Sequence, residues 1–335
     1  MIPRRAVAGG VLAAVVLLAA GGARAKTMDE RKRRFRAADR KQALAWQASS
    51  RKLLFKLMAL SDLVEADARK GGRGGIPFKP AVKSTRAEKD YTLYDLELSA
   101  TPTRRFRAIL TVPKAAGRQS CPAVVCLHGH GGNRRSPYAP TGLYRGFGLA
   151  LARRGYVTIS TDVGQHKVYE KGRTLMGERL WDVIRCVTYL TTRPEVDAKR
   201  IGCAGLSLGG EMTMWLGAMD PRIVATVSAG FLTTVANMRR GHCPCWEFPR
   251  LTEHFDFADI YSLSAPRALC CQNGRKERAG GGFPVAIAAK AMKEIRTCYE
   301  VFGQPDRAAL VTHGEGHVLD LPSCLAFLDK YLRGR

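Results

Sequence analysis

The chain has 335 residues, and its 54 lysines and arginines against 29 aspartates and glutamates give a formal charge of +25. Such an excess could hold an anionic polymer or an acidic envelope surface. Nucleic acid is a less favoured partner, because no recognised nucleic-acid-binding module is present and the arginines are spread along the whole chain.

The first 25 residues have the pattern of a secretion signal. Arg4 and Arg5 precede an apolar run over residues 6–20, and Ala23-Arg24-Ala25 matches the A-x-A cleavage pattern. We expect cleavage after Ala25 and a secreted or periplasmic protein. The apolar run is only a little shorter than the about 20 residues that a membrane-spanning helix needs, which leaves an uncleaved, membrane-anchored form open.

Residues 26–90 are predicted to form a basic helical extension that includes a flexible linker. Leucines and a methionine recur at helical spacing within residues 53–60, which predicts an apolar stripe that packs on the rest of the protein. The glycine-rich stretch 70–75 predicts the linker. The basic front, residues 31–36, could contact an anionic surface, although a solvated charged face is the default interpretation.

Residues 91–335 alternate between short apolar runs and helical stretches, and we expect them to form one catalytic domain. The apolar runs are residues 108–112, 123–127, 156–160, 223–227 and 268–271, and examples of the helical stretches are 146–153, 176–191 and 286–300. This alternation predicts the α/β class, with a mostly parallel central sheet of about eight strands flanked by helices. The ~310 residues after the signal suffice for one large α/β domain.

The sequence Gly205-Leu206-Ser207-Leu208-Gly209 follows an apolar run and precedes a helix-prone run. This order of strand, sharp turn and helix projects a serine hydroxyl from the top of a sheet, and the flanking glycines remove side chains that would clash. A glycine-rich helix start can give the same five-residue pattern. Other residues must therefore show whether this serine is catalytic. The pattern predicts that Ser207 is the nucleophile of a hydrolase.

A glycine-rich turn, residues 128–132, follows the apolar run 123–127. Small residues in such a turn let backbone N–H groups approach a developing negative charge. We therefore expect an oxyanion hole formed by the backbone N–H of Leu208 together with that of His130 or Gly131.

Two histidines, His313 and His317, follow the last predicted strand, residues 308–312, and compete for the role of general base. His317 is favoured because it lies further into the loop, whereas His313 at the strand end suits a structural role. The acid should precede the histidine in the chain, and Glu277 is the only carboxylate in the loop 272–278. Glu277 would accept the Nδ1 proton of His317. The alternative is a solvated loop charge paired with neighbouring arginines.

These motifs, in this order, resemble the acetyl xylan esterase and dienelactone-hydrolase-like branch of the α/β-hydrolases. The resemblance covers about residues 91–332 and is carried by residues 126–132, 179–183, 193–202, 205–209 and 265–274. It implies the α/β-hydrolase fold and an exported serine carboxylesterase that deacetylates carbohydrate such as acetylated xylan.

The chain departs from its relatives in three places. Dienelactone hydrolases use cysteine where this chain has Ser207, and glucuronoyl esterases carry arginine where it has Leu208. The family usually places aspartate where this chain has Glu277, and residues 279–282 lengthen the acid loop. Two alternatives stay open: a prolyl-oligopeptidase-like peptidase, disfavoured because no propeller or gating domain is present, and a non-catalytic binding protein on a hydrolase scaffold.

Two further regions are expected to shape a substrate pocket. Trp246 and Phe248, in the excursion 231–260, offer aromatic surface for a sugar ring or an acyl group, and His166 lies in a segment that leaves the sheet at the same edge. We expect no cofactor and no metal.

The ten cysteines allow several interpretations. Four of them lie in predicted core strands, where cysteine acts as a small buried hydrophobe: Cys126, Cys203, Cys270 and Cys271. The other six are more plausible disulfide partners, but sequence does not pair them: Cys121, Cys186, Cys243, Cys245, Cys298 and Cys324. A zinc site is disfavoured because the C-x-C spacing is tighter than in usual zinc loops; its ligands would be His242, Cys243, Cys245 and His254.

Overall fold

A computed structural model of the chain describes residues 31–68, 75–117, 120–278 and 280–334. The predicted signal sequence, most of the glycine-rich linker and residue 279 of the acid loop lie outside these ranges. None of the helices in the described part combines the length and the hydropathy of a membrane span.

One sheet of nine strands is the centre of the described fold. The strands are β1 (Ala81–Ala87), β2 (Tyr91–Ser99), β3 (Arg105–Pro113), β4 (Cys121–Leu127), β5 (Val157–Thr161), β6 (Val196–Leu206), β7 (Ile223–Ala229), β8 (Ala268–Gly274) and β9 (Ala308–His313). Their order is β1-β2-β3-β5-β4-β6-β7-β8-β9. The pairs β1–β2, β2–β3 and β3–β5 are antiparallel, and every other pair is parallel. The predicted mostly parallel α/β sheet is confirmed, with one strand more than expected.

Ten helices accompany the sheet in the described ranges. They are α1 (Arg40–Leu57), α2 (Ser61–Ala68), α3 (Phe147–Arg153), α4 (Leu175–Thr191), α5 (Leu208–Met219), α6 (Val235–Met238), α7 (Leu251–His254), α8 (Phe257–Ser262), α9 (Val285–Val301) and α10 (Leu321–Arg333). Polar side chains cap several of them: Thr174 accepts the N–H of Gly177 at the start of α4, and Asp320 accepts that of Ser323 in α10.

Both faces of the sheet are covered by helices. Along β4, Val125 and Leu127 belong to a core shared with α1, α4, α5, α8 and α9, whereas Val124 and Cys126 belong to a core shared with α3 and α10. Successive side chains of a strand point to opposite faces, so a strand covered on both sides reads as a continuous apolar run. This explains why the strands were visible in the sequence.

The helical extension packs on the rest of the protein through its apolar stripe, as its spacing predicted. Leu54 and Met58 are fully buried in the larger core. Arg51 Nε donates to the carbonyl of Ala218 at 2.7 Å. In the basic front, Arg31 is 9% exposed and its Nε lies 2.6 Å from Oδ2 of Asp259, so this cation is engaged inside the fold.

The cysteines form no disulfide in the structure. All ten are free, and Cys243 is the exposed one among them. The four expected in core strands are buried there, as predicted. The six that sequence analysis favoured as bridge partners are therefore unpaired here.

Candidate active site

Ser207 occupies the sharp turn between β6 and α5. Its backbone has φ 62° and ψ −123°, in the left-handed half of conformational space that L-residues rarely adopt. The Ser207 N–H donates to the carbonyl of Ala229 at 2.9 Å, across the end of β7. Strained backbone of this kind persists when neighbouring structure holds it, and it is common at catalytic residues.

The two glycines of the motif let the turn lie against neighbouring backbone. A Cβ at Gly205 would lie 2.4 Å from the carbonyl oxygen of Gly209, and one at Gly209 would lie 2.2 Å from that of Leu127. No side chain fits at such distances. The turn therefore packs directly on the end of β4, next to the glycine-rich turn 128–132.

His317 and Glu277 meet across the loops that follow β9 and β8. The Nδ1 of His317 donates to Oε1 of Glu277 at 2.6 Å, and the Glu277 side chain is 5% exposed. Burial is the largest single effect on the pKa of Glu277 and would raise it, but the hydrogen bond and charge of His317, together with the N–H of Phe283 and the charge of His313, outweigh burial and hold that pKa below its usual value. The pair thus consists of a carboxylate and an imidazole whose Nε2 is free to accept a proton.

The acid loop supports this pair. Oε2 of Glu277 accepts the backbone N–H of Phe283 at 3.2 Å, and the Phe283 ring stacks on His317 with centroids 5.4 Å apart and planes 17° apart. The residue that follows the three glycines 280–282 thus holds both the acid and the histidine.

Ser207, His317 and Glu277 line one cavity of about 310 Å³. Its walls also include Leu208, His130 and several apolar side chains, among them Phe231, Met238 and Phe283. A larger cavity, of about 1170 Å³, opens beside the glycine-rich turn, but none of the three residues Ser207, His317 and Glu277 lines it. The smaller cavity is therefore the candidate active site.

The expected oxyanion donors are divided between the two cavities. Leu208 is the first residue of α5, where backbone N–H groups have no partner within the helix and the helix dipole favours negative charge. His130 lines the Ser207 cavity, whereas Gly131 lines the larger one. Of the two candidates in this turn, His130 thus shares the cavity of the nucleophile.

Polar contacts hold the glycine-rich turn in place. His128 is fully buried; its Nδ1 donates to the carbonyl of Gly129 at 2.8 Å and its Nε2 accepts the N–H of Val163 at 3.0 Å. The Gly129 N–H donates to Oη of Tyr144 at 2.7 Å. Burial and the nearby charge of Arg179 lower the pKa of His130 to about 4, so its imidazole is neutral at pH 7.

Sequence comparisons find that the chain is similar to known hydrolases. The family model of the prolyl oligopeptidase family (Peptidase_S9) matches residues 149–254, a range that includes Ser207. The "Putative hydrolase YtaP" of Bacillus subtilis (strain 168) is 27% identical over 243 residues, which are 63% of this chain and 79% of that protein.

Solved structures are similar over most of the chain. Methylesterase BT1017 has a TM-score of 0.71 at 20% identity, over 88% of this chain and 65% of that one. An acetyl xylan esterase from Paenibacillus sp. R4 has a TM-score of 0.56 at 17% identity, over 91% of this chain and 98% of that one. The chain has the α/β-hydrolase fold. At these identities, the structural similarity establishes the fold alone, and the substrate has to be inferred from the residues of this chain.

The two aromatic residues expected in the pocket lie outside the Ser207 cavity, which corrects that expectation. Trp246 is buried with its ring edge-on to Phe257, centroids 5.6 Å apart, and Phe248 packs on Trp215 at 5.8 Å. Neither lines the Ser207 cavity. The excursion 231–260 turns these rings onto the helices beneath it, because burial against the core removes more apolar surface from water than a pocket wall does.

His166, expected in the pocket, also lies elsewhere, and the disfavoured zinc ligands His242 and His254 lie apart from each other. His166 is not among the residues that line either cavity described above; its Nε2 lies 3.3 Å from Sγ of Cys243. His242 packs on Phe283 and His254 lies beside Arg250. The described residues thus do not unite His242 and His254 with the two cysteines.

Sequence analysis missed one ionisable residue of the active-site cavity. Glu211 lines the cavity in the first turn of α5 and is 1% exposed. Burial, against the opposing charge of Arg179, raises its pKa to about 7. A usable signal was present in the sequence, since Glu211 follows Ser207 by four residues and residues at that helical spacing lie on one face.

Proposed function

We propose that the protein is a serine carboxylesterase that works through an acyl-enzyme. The observation that carries the proposal is the buried Glu277 carboxylate bound to His317 in the cavity that contains the strained Ser207. This arrangement has the three parts that ester hydrolysis by a serine needs: a nucleophile, a base and a group that orients the base.

In the first half of the proposed reaction, Ser207 Oγ attacks the ester carbonyl and passes its proton to Nε2 of His317. The charge on the carbonyl oxygen is held by the backbone N–H groups of Leu208 and His130. The alcohol then leaves with the proton from His317, and the acyl group stays on Ser207. The Glu277 carboxylate stabilises the imidazolium that exists between these two proton transfers.

In the second half, water attacks the acyl-serine. His317 accepts a proton from this water and returns it to Ser207 Oγ as the carboxylic acid departs. Each proton that leaves one oxygen thus reaches another through the same histidine nitrogen, so the cycle ends with the starting enzyme.

Acetylated carbohydrate, such as acetylated xylan, is the proposed substrate class. The cavity of about 310 Å³ at Ser207 suits a small acyl group, and the larger cavity, which Gly131 and Gly132 of the glycine-rich turn line, offers space for a carbohydrate chain. The similarity to acetyl xylan esterases supports this choice. The similarity to a methylesterase and to a glucuronoyl esterase makes a methyl glucuronate the competing ester.

The test is hydrolysis of p-nitrophenyl acetate by the purified protein and by Ser207→Ala, with Ser49→Ala as an exposed-serine control. We expect Ser207→Ala to lose about 10³-fold or more of kcat, as removal of a serine nucleophile does, and the control to keep wild-type activity. Equal rates for wild type and Ser207→Ala would replace this proposal with a non-catalytic binding protein on a hydrolase scaffold.

Three further substrates distinguish an acetyl esterase from a methyl esterase and from a peptidase. Acetate release from acetylated xylan is expected, and methanol release from a methyl glucuronate is expected to be slower. Because part of the chain matches the prolyl oligopeptidase family, a prolyl peptide amide is the third substrate. Faster cleavage of that amide than of the acetyl ester would favour a peptidase.

We further propose that the protein is exported. Support comes from the basic, apolar and A-x-A segments within the first 25 residues. Mass spectrometry of protein recovered from the cell envelope or the medium should give a chain that begins at Lys26. An intact N-terminus in the membrane fraction would instead indicate an anchored form.

A further inference from the structure

Four side chains with metal-binding atoms converge beside the glycine-rich turn. They are His130, His166, Cys243 and Cys245, and one nitrogen or sulfur atom from each lies within 4.8 Å of all the others. Nε2 of His130 is 3.1 Å from Sγ of Cys245, and Nε2 of His166 is 3.3 Å from Sγ of Cys243. The cluster thus contains two imidazoles and two thiols.

The four residues come from three separate segments of the chain. His130 lies in the turn after β4, His166 follows β5, and the two cysteines belong to the excursion between β7 and β8. His166 and Cys243 are 77 positions apart, and His130 and Cys245 are 115 apart. Local sequence therefore does not bring these atoms together; the packing of three loops does.

The spacing suits a tetrahedral metal ion. Zinc bonds of about 2.3 Å to sulfur and about 2.0 Å to nitrogen give ligand atoms separated by about 3.3 to 3.8 Å in a tetrahedron. Both pairs described above join a nitrogen to a sulfur, for which these bonds give about 3.5 Å, so their distances of 3.1 and 3.3 Å fall short of it by about 0.2 to 0.4 Å. Two thiolates with two imidazoles is also a common ligand set of structural zinc sites, and thiolates favour soft or borderline ions over magnesium or calcium.

A buried arginine holds the backbone next to the cluster. Arg179, on α4, is fully buried. Its Nη1 donates to the carbonyl of Cys245 at 3.3 Å and its Nη2 donates to that of Gln165, the neighbour of His166. One guanidinium thus holds two of the three segments that supply ligands. Partners of this kind orient metal ligands in known sites.

We propose that His130, His166, Cys243 and Cys245 bind one Zn²⁺ as a structural site at the edge of the active-site cavity. Four protein ligands leave no open position, which is typical of structural rather than catalytic zinc. On binding, each ring nitrogen and each sulfur donates an electron pair to the ion, and the two thiol protons pass to solvent.

At this position, a bound ion would stabilise one wall of the active-site cavity. His130 and Cys245 also line the Ser207 cavity, so a bound ion fixes the turn that carries the His130 N–H and joins it to the excursion 231–260. The zinc proposal does not rest on the esterase proposal, because it follows from the ligand geometry alone.

The first test is the metal content of the full chain, purified with a thiol reductant and without chelator, then supplied with zinc chloride and desalted. Mass spectrometry of the metal is expected to give one zinc per chain. His166→Ala and Cys243→Ser remove exposed ligands, so both should fold, and each should weaken zinc binding by at least about tenfold in competition with a chelating dye. His313→Ala, which changes a histidine outside the cluster, should bind zinc like wild type.

The second test replaces zinc with Co²⁺. The wild type is expected to show the visible bands of tetrahedral cobalt and a near-ultraviolet thiolate-to-cobalt band, and Cys243→Ser should lose about half of the latter, since one of two thiolates is gone. The proposal would be overturned by any one of three results. The wild type could lack stoichiometric zinc, the ligand variants could bind zinc as tightly as His313→Ala, or Cys243 and Cys245 could form a disulfide in the presence of reductant. Ser207→Ala should keep its zinc. Loss of metal therefore tests the zinc proposal, and loss of esterase activity in this variant tests the esterase proposal.

Discussion

Glu277 reaches His317 from a loop 40 positions earlier in the chain, and the two side chains share a hydrogen bond of 2.6 Å between Oε1 and Nδ1. The proposed esterase reaction depends on this contact, because it needs a base that an acid orients. The buried carboxylate fixes the tautomer of the histidine, because an Nδ1 that donates to Glu277 leaves Nε2 as the proton acceptor.

The contact predicts the effect of Glu277→Gln. An amide has no charge to stabilise the imidazolium and can present its NH₂ group to His317, so kcat for p-nitrophenyl acetate should fall by about 10³- to 10⁴-fold with the fold intact. Glu315→Gln is the matched control, because Glu315 lies in the His317 loop but pairs with Arg145 on the surface. Wild-type kcat in Glu277→Gln would remove Glu277 from the catalytic group.

Gly230 offers a test of how closely His317 is positioned. Its φ is +57°, and a Cβ there would lie 2.9 Å from Cε1 of His317. Gly230→Ala should therefore displace the imidazole and lower kcat by about 10²-fold, the scale of a displacement of about 1 Å at a catalytic group.

The control for this change is Gly303→Ala. Gly303 has φ +68° with open space around its Cβ position. Alanine there would cause no clash, and it would cost only the about 1–2 kcal/mol of a left-handed backbone. Thermal unfolding should show a lowered Tm in both variants, whereas steady-state kinetics should show a loss in Gly230→Ala alone. Equal kcat values in the two variants would contradict the proposed position of His317.

Glu211 predicts a dependence of stability on pH. Its pKa is about 7 in the folded protein and 4.5 is its ordinary value, so between these values the folded chain keeps a proton that the unfolded chain has lost. The free energy of unfolding should therefore decrease as pH rises through this window, by about 3 kcal/mol in total, and stay level above it.

Glu211→Gln should lack this contribution. Urea unfolding at pH 4.5, 6 and 8, with a chelator present so that the proposed zinc site is empty, should give a stability difference that grows with pH in favour of the variant. Parallel pH profiles for the two proteins would mean that Glu211 is not buried in its protonated form.

The helical extension is predicted to be part of the folded unit. Leu54 is fully buried, whereas Leu44 on the same helix is 48% exposed. Leu54→Ala should lower the free energy of unfolding by about 2–4 kcal/mol through lost burial and a residual cavity, and Leu44→Ala should change it by less than about 0.5 kcal/mol. Equal, small effects would indicate an extension that is only loosely attached.

Features that depend on neighbouring residues were visible in the sequence. The alternation of apolar runs and helical stretches predicted the mostly parallel sheet, because strand and helix periods are properties of short segments. The five-residue turn at Ser207 was also readable, since two glycines around a serine reflect a local backbone constraint. The three candidates Ser207, Glu277 and His317 could also be chosen from the sequence, because serine, acid and histidine follow one another in this order in α/β-hydrolase chains.

Tertiary structure alone decided which side chains meet. Trp246 and Phe248 are aromatic, as a sugar pocket would need, but they face the core. Glu211 belongs to no recognised motif, yet it lines the cavity. The C-x-C cysteines were judged by their own spacing, whereas their partners are histidines from two distant loops. Contacts of this kind depend on the direction in which each loop leaves the sheet, and that direction is set by packing between segments far apart in the chain.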